Sequence, residues 1–208
     1  DITDVAWRDA LTVYRDVSPF AVAYVMFQRG VMWSEQAGRP ERGLALYRLA
    51  VKRLPEYVVA NVHLAELEWE LGQVDAATER LERVMKTTED PEPAGLLAEI
   101  LSKGNPSEAR RLTADASERY EALFVRHPYA FLDHGAEFFL GPGSDPARAL
   151  ALARKNLAER RNSRAYEIAL DAAEAAGDRE ALCTFTVQAR QVAPTVHLRK
   201  TLVDSTCP

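Results

Sequence analysis

The chain has 208 residues, of which 47% are hydrophobic and 27% are charged, as in a globular protein rather than a disordered one. Its formal net charge of −5 argues against a nucleic-acid surface, since phosphate contacts require clustered Lys and Arg. No apolar run approaches the roughly 18 residues of a membrane span, and the N-terminus DITDVAWRDA lacks the pattern of a signal peptide. We therefore expect no membrane insertion and no nucleic-acid partner.

The first predicted element is a single helix within 1–18. A helical pattern extends from Ile2 to Arg15, and Ser18 followed by Pro19 ends it. We interpret this helix as a cap or as the remainder of a preceding repeat, because it stands outside the periodic pattern that follows.

The next elements recur with a fixed period. GRPERGLALYRLAVKRLP at 38–55 and GQVDAATERLERVMKTTE at 72–89 are offset by 34 positions, which is the period of a two-helix repeat. A third copy, GDREALCTFTVQARQVAP at 177–194, has the same length from glycine to proline as the first copy. Three aligned copies predict pairs of helices that bury their apolar faces by stacking on one another.

Residues within each copy have a physical interpretation. The glycine that opens each copy can adopt the left-handed conformation that ends a helix. Gly43 and Ala77 are small enough to let the second helix approach the first closely. Pro55 and Pro194 are expected to end the second helix of the copies that contain them.

The middle of the chain holds two distorted copies. A Pro-Glu-Pro sequence at 91–93 breaks the chain, and a short helix is predicted at 94–103. A longer helix is predicted from Pro106 to His127. The turn Gly141–Asp145 is enlarged, and its last residue precedes a proline, which is typical of a helix N-cap followed by Pro at the first helical position.

The last predicted element is a capping helix within 195–208, from Thr195 to Ser205. No stretch alternates apolar and polar residues beside β-branched residues and hairpin turns, so no strand is predicted. The sequence therefore predicts an all-α fold. We expect a right-handed α-solenoid of about five antiparallel helix pairs plus capping helices, forming a single domain over 1–208.

The repeat resembles the tetratricopeptide repeat, which has small residues at positions 8, 20 and 27 and large ones at 4, 11 and 24. In the copy that begins at Val58, Ala65 takes position 8 and Ala77 takes position 20. Leu81 takes position 24, and Gly72 stands at the turn. The resemblance covers roughly 24–194.

The same copy departs from the family pattern at three positions. Asn61 stands where the family favours Trp, Glu68 where it favours Tyr, and Val84 where it favours Ala. The resemblance therefore implies the fold and the general role rather than a particular member of the family.

In tetratricopeptide arrays the first helix of each pair, here called the A helix, lines an inner groove, so the resemblance implies partner-binding residues. They are Gln28, Met32, Glu35, Val62, Glu66, Trp69, Glu70, Asp133, Glu137, Glu167 and Asp171. This acidic set predicts a groove that attracts a basic peptide or protein and anchors it on Trp69 and Met32. The alternative is that these acids form an ordinary solvated helix face.

The resemblance implies a non-catalytic protein-interaction or scaffolding module without a cofactor, and a monomer or weak oligomer. In agreement, no nucleophile stands beside a base in a recognisable motif. The Gly-rich turn GPGSD lacks the lysine and the strand of a phosphate-binding loop. We therefore expect no enzyme activity.

The motifs HLAE at 63–66 and HGAE at 134–137 support an alternative function. Each places a histidine and a glutamate on one face of a helix, and such pairs on facing helices can bind metals. A metal-binding protein or metal-dependent hydrolase would use His63, Glu66, His134 and Glu137. Both motifs occupy the same repeat positions, which a shared ancestral unit also explains. A third possibility is a small ligand in a closed pocket around Trp33, Trp69 and Phe138.

Cys183 and Cys207 are the two cysteines, and they form no Cys-x-x-Cys motif. They lie at similar distances from Pro194 on helices predicted to be antiparallel, so they could form a disulfide; two free thiols are the alternative. A disulfide would imply an oxidising compartment. The chain begins with Asp1 rather than Met, which suggests a processed product or a cut piece. Its location stays open: cytoplasmic by default, exported if the cysteines are bonded.

Overall fold

The structure is a computed structural model, which describes residues 2–15, 17–192, 195, 197, 198, 200, 202 and 207. These residues contain eleven complete α-helices joined by turns, and no strand. The helices are α1 (Ile2–Thr12), α2 (Pro19–Val31), α3 (Pro40–Arg53), α4 (Val58–Glu70), α5 (Val74–Val84), α6 (Glu92–Leu101), α7 (Pro106–Arg126), α8 (Leu132–Leu140), α9 (Pro146–Glu159), α10 (Ser163–Ala175) and α11 (Arg179–Ala189). A π-helical turn, Met32–Gln36, continues α2.

The chain divides into two compact units, Asp1–Thr88 and Glu89–Pro208. In the first unit α2 packs with α3 and α4 packs with α5, while α1 packs against α2. In the second unit the pairs are α6 with α7, α8 with α9, and α10 with α11. The predicted all-α fold of five helix pairs is therefore confirmed in the described residues. The single domain over 1–208 stays a prediction.

Three glycines adopt the left-handed conformation that the repeat predicts for the end of an A helix. Gly38, Gly72 and Gly177 have φ angles of 62°, 77° and 67°. After α4, the N–H of Gly72 donates to the carbonyl of Trp69 at 2.8 Å. Because other residues are strained at these angles, the glycines fix where each A helix ends.

The π-helical turn distinguishes the first A helix from the others. The N–H of Arg39 donates to the carbonyl of Trp33, six residues earlier, at 2.7 Å. Inside the turn, the hydroxyl of Ser34 donates to the carbonyl of Gly30 at 2.9 Å. A π-helical turn changes the direction of the residues that it contains, and such turns are frequent at functional sites. It therefore sets the direction of Ser34 and Glu35.

The helices of the first pair pack closely because two glycines face their neighbours. A Cβ atom on Gly43 would lie 2.6 Å from the Cβ of Ser34, which confirms the predicted role of this small residue. A Cβ atom on Gly30 would lie 2.3 Å from the ring of Tyr47. That ring is only 1% exposed and forms the centre of the core of the first unit.

A buried polar network occupies the two positions of α4 where the family favours aromatic residues. The carboxylate of Glu68 is 4% exposed and accepts hydrogen bonds from Arg80 of α5 at 2.8 and 2.9 Å. Arg80 also donates to the side chain of Asn61 at 3.2 Å. The amide of Asn61 donates to the carbonyls of Pro55 and Tyr57, both at 2.9 Å. One hydrogen-bonded network thus replaces two aromatic side chains.

The second unit contains the irregular elements that the sequence predicts. The long helix α7 has 21 residues and begins after the cap Asn105. The side chain of Asp145 caps α9 by accepting from the N–H of Arg148 at 3.0 Å, and Pro146 follows it. The enlarged turn and the N-cap are therefore confirmed.

α8 begins at Leu132, because the residues after Pro128 form a turn. α11 ends at Ala189. Pro194, which we expected to end this helix, lies outside the described residues.

The C-terminal segment docks on α10. Its described residues between 197 and 202 are helical, as predicted for a capping helix. Leu198 is fully buried. The carboxylate of Glu167 accepts hydrogen bonds from the hydroxyl of Thr195 and, at 3.2 Å, from the N–H of Leu198. Glu167 therefore caps the start of this helix.

Candidate functional site

Two residues predicted to contact a partner are buried in the first unit. Met32 is 5% exposed and Val62 is 1% exposed. Val62 is buried because α4 packs against both α3 and α5, which cover most of its surface. Met32 opens the π-helical turn and points into the core. The prediction that these two side chains offer surface to a partner is therefore wrong.

The other five predicted residues of the first unit reach its surface. Glu70 is exposed, and Gln28, Glu35, Glu66 and Trp69 are partly exposed. Residues three and four apart are neighbours on a helix, so Glu66, Trp69 and Glu70 share one face of α4. This face combines negative charge with one large aromatic side chain.

His63 brings two of these carboxylates together. Its Nδ1 atom lies 3.2 Å from Oε1 of Glu35 and 3.3 Å from Oε2 of Glu66. The two glutamate side chains are 34% and 43% exposed, whereas that of His63 is 12% exposed. We call Glu35, His63, Glu66 and Trp69 the Glu35–Glu66 site.

Aromatic packing fixes the ring of His63. The ring centroid lies 5.2 Å from that of Phe27 and 5.6 Å from that of Tyr47. The Tyr47 hydroxyl lies 2.9 Å from the hydroxyl of Ser34 and donates to Glu35 at 3.5 Å. Burial, together with the charge of Glu35, raises the pKa of Tyr47. Tyr47 therefore stays protonated and serves the site as a donor.

His134 of the second unit has a matching carboxylate partner. Its Nδ1 atom lies 2.9 Å from Oε1 of Glu92, so it joins α8 to α6. Burial favours the neutral ring, but the hydrogen bond and charge of Glu92 and the charges of Asp133 and Glu137 outweigh burial. They raise the pKa of His134 to about 9. The ring is therefore positively charged at neutral pH.

Arg164 of α10 neutralises more of the negative charge on α8. Its guanidinium donates to Glu137 at 2.8 Å and lies 4.0 Å from Asp133. Both carboxylates predicted as partner contacts on α8 thus have a cationic neighbour inside the second unit. This unit consequently offers a partner less free negative charge than the sequence indicates.

The two predicted contacts on α10 differ in their surroundings. The carboxylate of Glu167 binds the C-terminal segment through Thr195 and Leu198, so a partner would compete with that segment for it. Asp171 is exposed, and the charge of His197 acts on it. Asp171 therefore stays a predicted contact, whereas Glu167 already has a role within the chain.

The metal site suggested by HLAE and HGAE finds no support in the described part of the chain. No group of three or more His, Cys, Asp or Glu side chains there is placed to hold a metal ion. His63 and His134 lie in different units, and each contacts a carboxylate from the preceding A helix. The two histidines occupy the same repeat position and therefore make the same kind of contact, with a carboxylate of the preceding A helix.

The aromatic residues considered for a small-ligand pocket are engaged within their own units. The indole N–H of Trp33 donates to Asp4 at 3.4 Å, and the guanidinium of Arg42 lies 4.3 Å from its ring centroid. Phe138 is 5% exposed. Trp33 and Trp69 are both partly exposed.

Cys183 and Cys207 lie in bonding geometry. Their sulfur atoms are 2.07 Å apart and their Cα atoms 5.1 Å apart. The bond joins α11 to the C-terminal segment that Glu167 also holds. Whether the protein carries it depends on the compartment, so the disulfide stays a prediction.

Three residues that shape these sites were not predicted as site residues: Ser34, Tyr47 and Glu92. Glu92 belongs to the Pro-Glu-Pro sequence that we interpreted as a break, whereas the structure makes it the first residue of α6. Phasing this distorted copy as a full repeat would have placed Glu92 on an A helix. The contact of Ser34 with Tyr47 depends on the π-helical turn, for which the sequence carries no recognised signal.

Comparisons with known proteins agree with this fold. Residues 35–100 match the family model of the tetratricopeptide repeat. A comparison with curated protein sequences finds no significant match. In the described residues, no helix is both long and apolar enough to cross a membrane.

Two solved structures show the same fold. A thermophilic tetratricopeptide repeat protein of Thermus thermophilus aligns with a TM-score of 0.61 at 17% identity, over 87% of this chain and 97% of that one. A tetratricopeptide repeat protein from Parabacteroides merdae aligns with a TM-score of 0.54 at 17% identity, over 96% of this chain and 75% of that one. Residues 35–100 thus match the tetratricopeptide repeat, and the chain shares the fold of these two tetratricopeptide repeat proteins.

Proposed function

We propose that the chain is a non-catalytic protein-interaction module whose Glu35–Glu66 site takes a basic segment of a partner protein. Proteins built from tetratricopeptide repeats generally bind other proteins or peptides. The observation that carries the proposal is the convergence of two half-exposed carboxylates on one point, with their Oε atoms 3.2 and 3.3 Å from the same nitrogen of His63.

The chemistry of this point suits a cationic side chain. An Arg guanidinium presents several donors in one plane and can bind two carboxylates at once, and charge-assisted hydrogen bonds of this kind are among the stronger ones. The aliphatic part of the same side chain, or an apolar neighbour in the peptide, can pack on Trp69 one turn further along α4. The site therefore combines charge with an apolar anchor.

The second unit contributes less to this proposal. Asp133 and Glu137 already have Arg164 as a neighbour, and Glu167 holds the C-terminal segment. Asp171 remains exposed on α10. We propose these four residues as additional contacts of a larger partner.

A display library of random 12-residue peptides, selected on the full chain, tests the proposal. We expect the selected peptides to be enriched in Arg and Lys. The double variant Glu35→Gln, Glu66→Gln should weaken their binding about 10-fold, because both ionic acceptors are lost.

A matched control distinguishes the effect of charge at the Glu35–Glu66 site from the effect of the overall charge on binding. Glu79 and Glu82 are exposed on α5, and their double replacement by Gln removes the same charge from a different surface. This control should leave binding within about twofold of the original chain. Selected peptides without excess basic residues, or equal effects of the two double variants, would contradict the proposal.

A further inference from the structure

We infer that the chain binds a second copy of itself through two exposed helix faces of the first unit that carry complementary charge. The faces belong to α3 and α5, which are the second helices of their pairs. This inference goes beyond the proposed function, because the residues of the Glu35–Glu66 site lie on α4 and in the turn that continues α2.

The first step is the pattern of exposed side chains on the two helices. Residues that follow one another by four, three and four positions lie along one side of a helix. The α3 stripe consists of the exposed residues Glu41, Ala45, Arg48 and Lys52. The α5 stripe, which ends in the turn after α5, consists of the exposed residues Asp75, Glu79, Glu82 and Lys86. Each stripe begins with negative charge and ends with positive charge.

The second step is that the first unit leaves these charges unused. In the part of the chain that the structure describes, no charged side chain of either stripe forms a hydrogen bond or an ion pair. Arg80, on another side of α5, is by contrast bound to Glu68 at 2.8 Å. Leu49, beside the α3 stripe, is 48% exposed and adds apolar surface that an association would cover. Both stripes are therefore open to another molecule.

The third step is the register in which the two stripes match. When the α3 stripe of one copy lies antiparallel to the α5 stripe of another, the facing pairs are Glu41 with Lys86, Ala45 with Glu82, Arg48 with Glu79 and Lys52 with Asp75. Every pair except the one with Ala45 joins opposite charges. A parallel arrangement would place Glu41 opposite Asp75, and like charges across an interface repel. The antiparallel arrangement is therefore favoured.

The fourth step is that two stripes of the same kind match less well. Two antiparallel α3 stripes place Arg48 opposite Ala45, so this cation gains no acid. Two antiparallel α5 stripes place Glu79 opposite Glu82, and these carboxylates repel each other. Pairing of α3 with α5 therefore gives the most opposite-charge pairs. Because the contact joins two different faces, each copy keeps one stripe to which a further copy can bind.

The net charge of the chain makes the effect of salt informative. Each copy carries a formal net charge of −5, so whole molecules repel one another at low salt. Added salt would strengthen an association that uses no ion pairs, because it screens this repulsion. Salt should instead weaken an association through the two stripes, because it screens their exposed opposite charges.

Sedimentation velocity of the full chain tests the inference. Exposed ion pairs bind weakly, so we expect the weight-average sedimentation coefficient to rise between about 10 and 500 µM protein at low salt. At about 0.5 M sodium chloride the dissociation constant should be about 10-fold higher. The same measurements in several salt concentrations give the sign of the salt effect.

Two charge-reversal variants assign the contact to the stripes. Arg48→Glu with Lys52→Glu makes both stripes of a copy acidic, whereas Asp75→Lys with Glu79→Lys makes both mainly basic. Each variant alone should stay monomeric over the same concentration range, because it has no stripe of opposite charge to offer. An equimolar mixture of the two should associate again, because acidic stripes then meet basic ones.

A matched control makes the first charge change elsewhere. Lys103 and Arg110 are exposed in the second unit, and their double replacement by Glu should leave self-association within about twofold of the original chain. Far-UV circular dichroism checks that each variant keeps its helices. If a reversal variant loses helix, Arg48→Gln with Lys52→Gln replaces it and should weaken self-association about fivefold.

Several results would overturn the inference. They are a monomer at every concentration, an association that salt strengthens, a mixture of the two variants that stays monomeric, and self-association of the α5 variant alone. None of these results bears on the proposed function, which is tested by peptide binding at the Glu35–Glu66 site. Loss of peptide binding in the Glu35→Gln, Glu66→Gln variant would in turn leave self-association unchanged.

Discussion

His134 on α8 and Glu92 on α6 form a hydrogen-bonded ion pair at 2.9 Å that joins the A helices of two successive helix pairs. In the first unit His63 makes the corresponding contact with Glu35, at 3.2 Å. The two histidines occupy the same repeat position. Their shared role is therefore to link one A helix to the preceding one.

The first prediction is that the His134–Glu92 link stabilises the second unit most at low pH. The folded protein raises the pKa of His134 from 6.5 to about 9. A group with a raised pKa contributes its full stabilisation below its unfolded pKa and loses it as pH rises through its folded pKa. This increase in the pKa of His134 corresponds to at most about 3 kcal/mol of unfolding free energy. Solvent screening of the partly exposed ion pair reduces that value.

Urea unfolding of the original chain and of His134→Gln at pH 6, 7.5, 9 and 10 checks this prediction. The difference in unfolding free energy between the two should be largest at pH 6 and should shrink between pH 7.5 and 10. His127→Gln is the control, because His127 is exposed at the end of α7. Equal pH dependence of the two variants would contradict the assignment.

The second prediction concerns the glycines at close helix contacts. A Cβ atom on Gly135 would lie 2.4 Å from the ring of Phe124, and one on Gly30 would lie 2.3 Å from the ring of Tyr47. Tyr47 is buried, and Phe124 is partly buried and stacks on the buried ring of Tyr120, so neither ring can move aside freely. Gly30→Ala and Gly135→Ala should each reduce the unfolding free energy by about 1–3 kcal/mol.

Gly104→Ala provides the control for both glycine variants. A Cβ atom on Gly104 meets nothing within 4 Å, and its φ angle lies outside the left-handed region. This substitution should be neutral or slightly stabilising, because alanine restricts the unfolded chain more than glycine does. If all three variants lost the same stability, the close contacts at Gly30 and Gly135 would not be the cause.

The third prediction is that Arg80 is needed mainly to compensate the buried charge of Glu68. Arg80→Leu leaves a carboxylate that is 4% exposed without its bidentate partner, and should cost about 3–5 kcal/mol. Replacing both residues by Leu should recover much of this loss, because no unpaired charge then remains buried. Chemical unfolding of the two single variants and the double variant gives the coupling energy. Strictly additive losses would show that the pair does not act as a unit.

Much of the fold could be predicted because the decisive residues act locally. Gly72 and Gly177 end their helices through their own backbone angles, and Asp145 caps α9 through its own side chain. A 34-residue period then indicates how such pairs stack. These features need no knowledge of the rest of the chain.

The candidate site was predicted only in part because its members depend on tertiary contacts. Met32 and Val62 occupy groove positions of the family pattern, yet the packing around the π-helical turn and α4 buries them. The predicted acids Glu137 and Glu167 are engaged by Arg164 and by the C-terminal segment. Sequence supplies the signs of these charges, but pairing between residues more than 25 positions apart appears only in the fold.

The fourth prediction is that Cys183 and Cys207 form a disulfide that holds the C-terminal segment on α10 and α11. They are 24 residues apart in sequence and lie in bonding geometry. Closing a loop of this length restricts the unfolded chain and is worth about 3 kcal/mol in the entropic account. Mass spectrometry after alkylation should find no modified cysteine in protein folded under oxidising conditions and two after reduction.

The loss of structure when the disulfide is reduced should be confined to the C-terminal segment. Leu198 and the Glu167 cap still hold this segment without the bond, so the helix pairs of the second unit should keep their helical signal. Trypsin cleavage after the exposed Lys200 should become faster on reduction, and Cys183→Ser with Cys207→Ser should reproduce that rate without any reductant. Two alkylated cysteines in oxidised, folded protein would show that the disulfide does not form. The expectation of an exported protein would then fall as well, because it rests on a disulfide that is stable outside the cytosol.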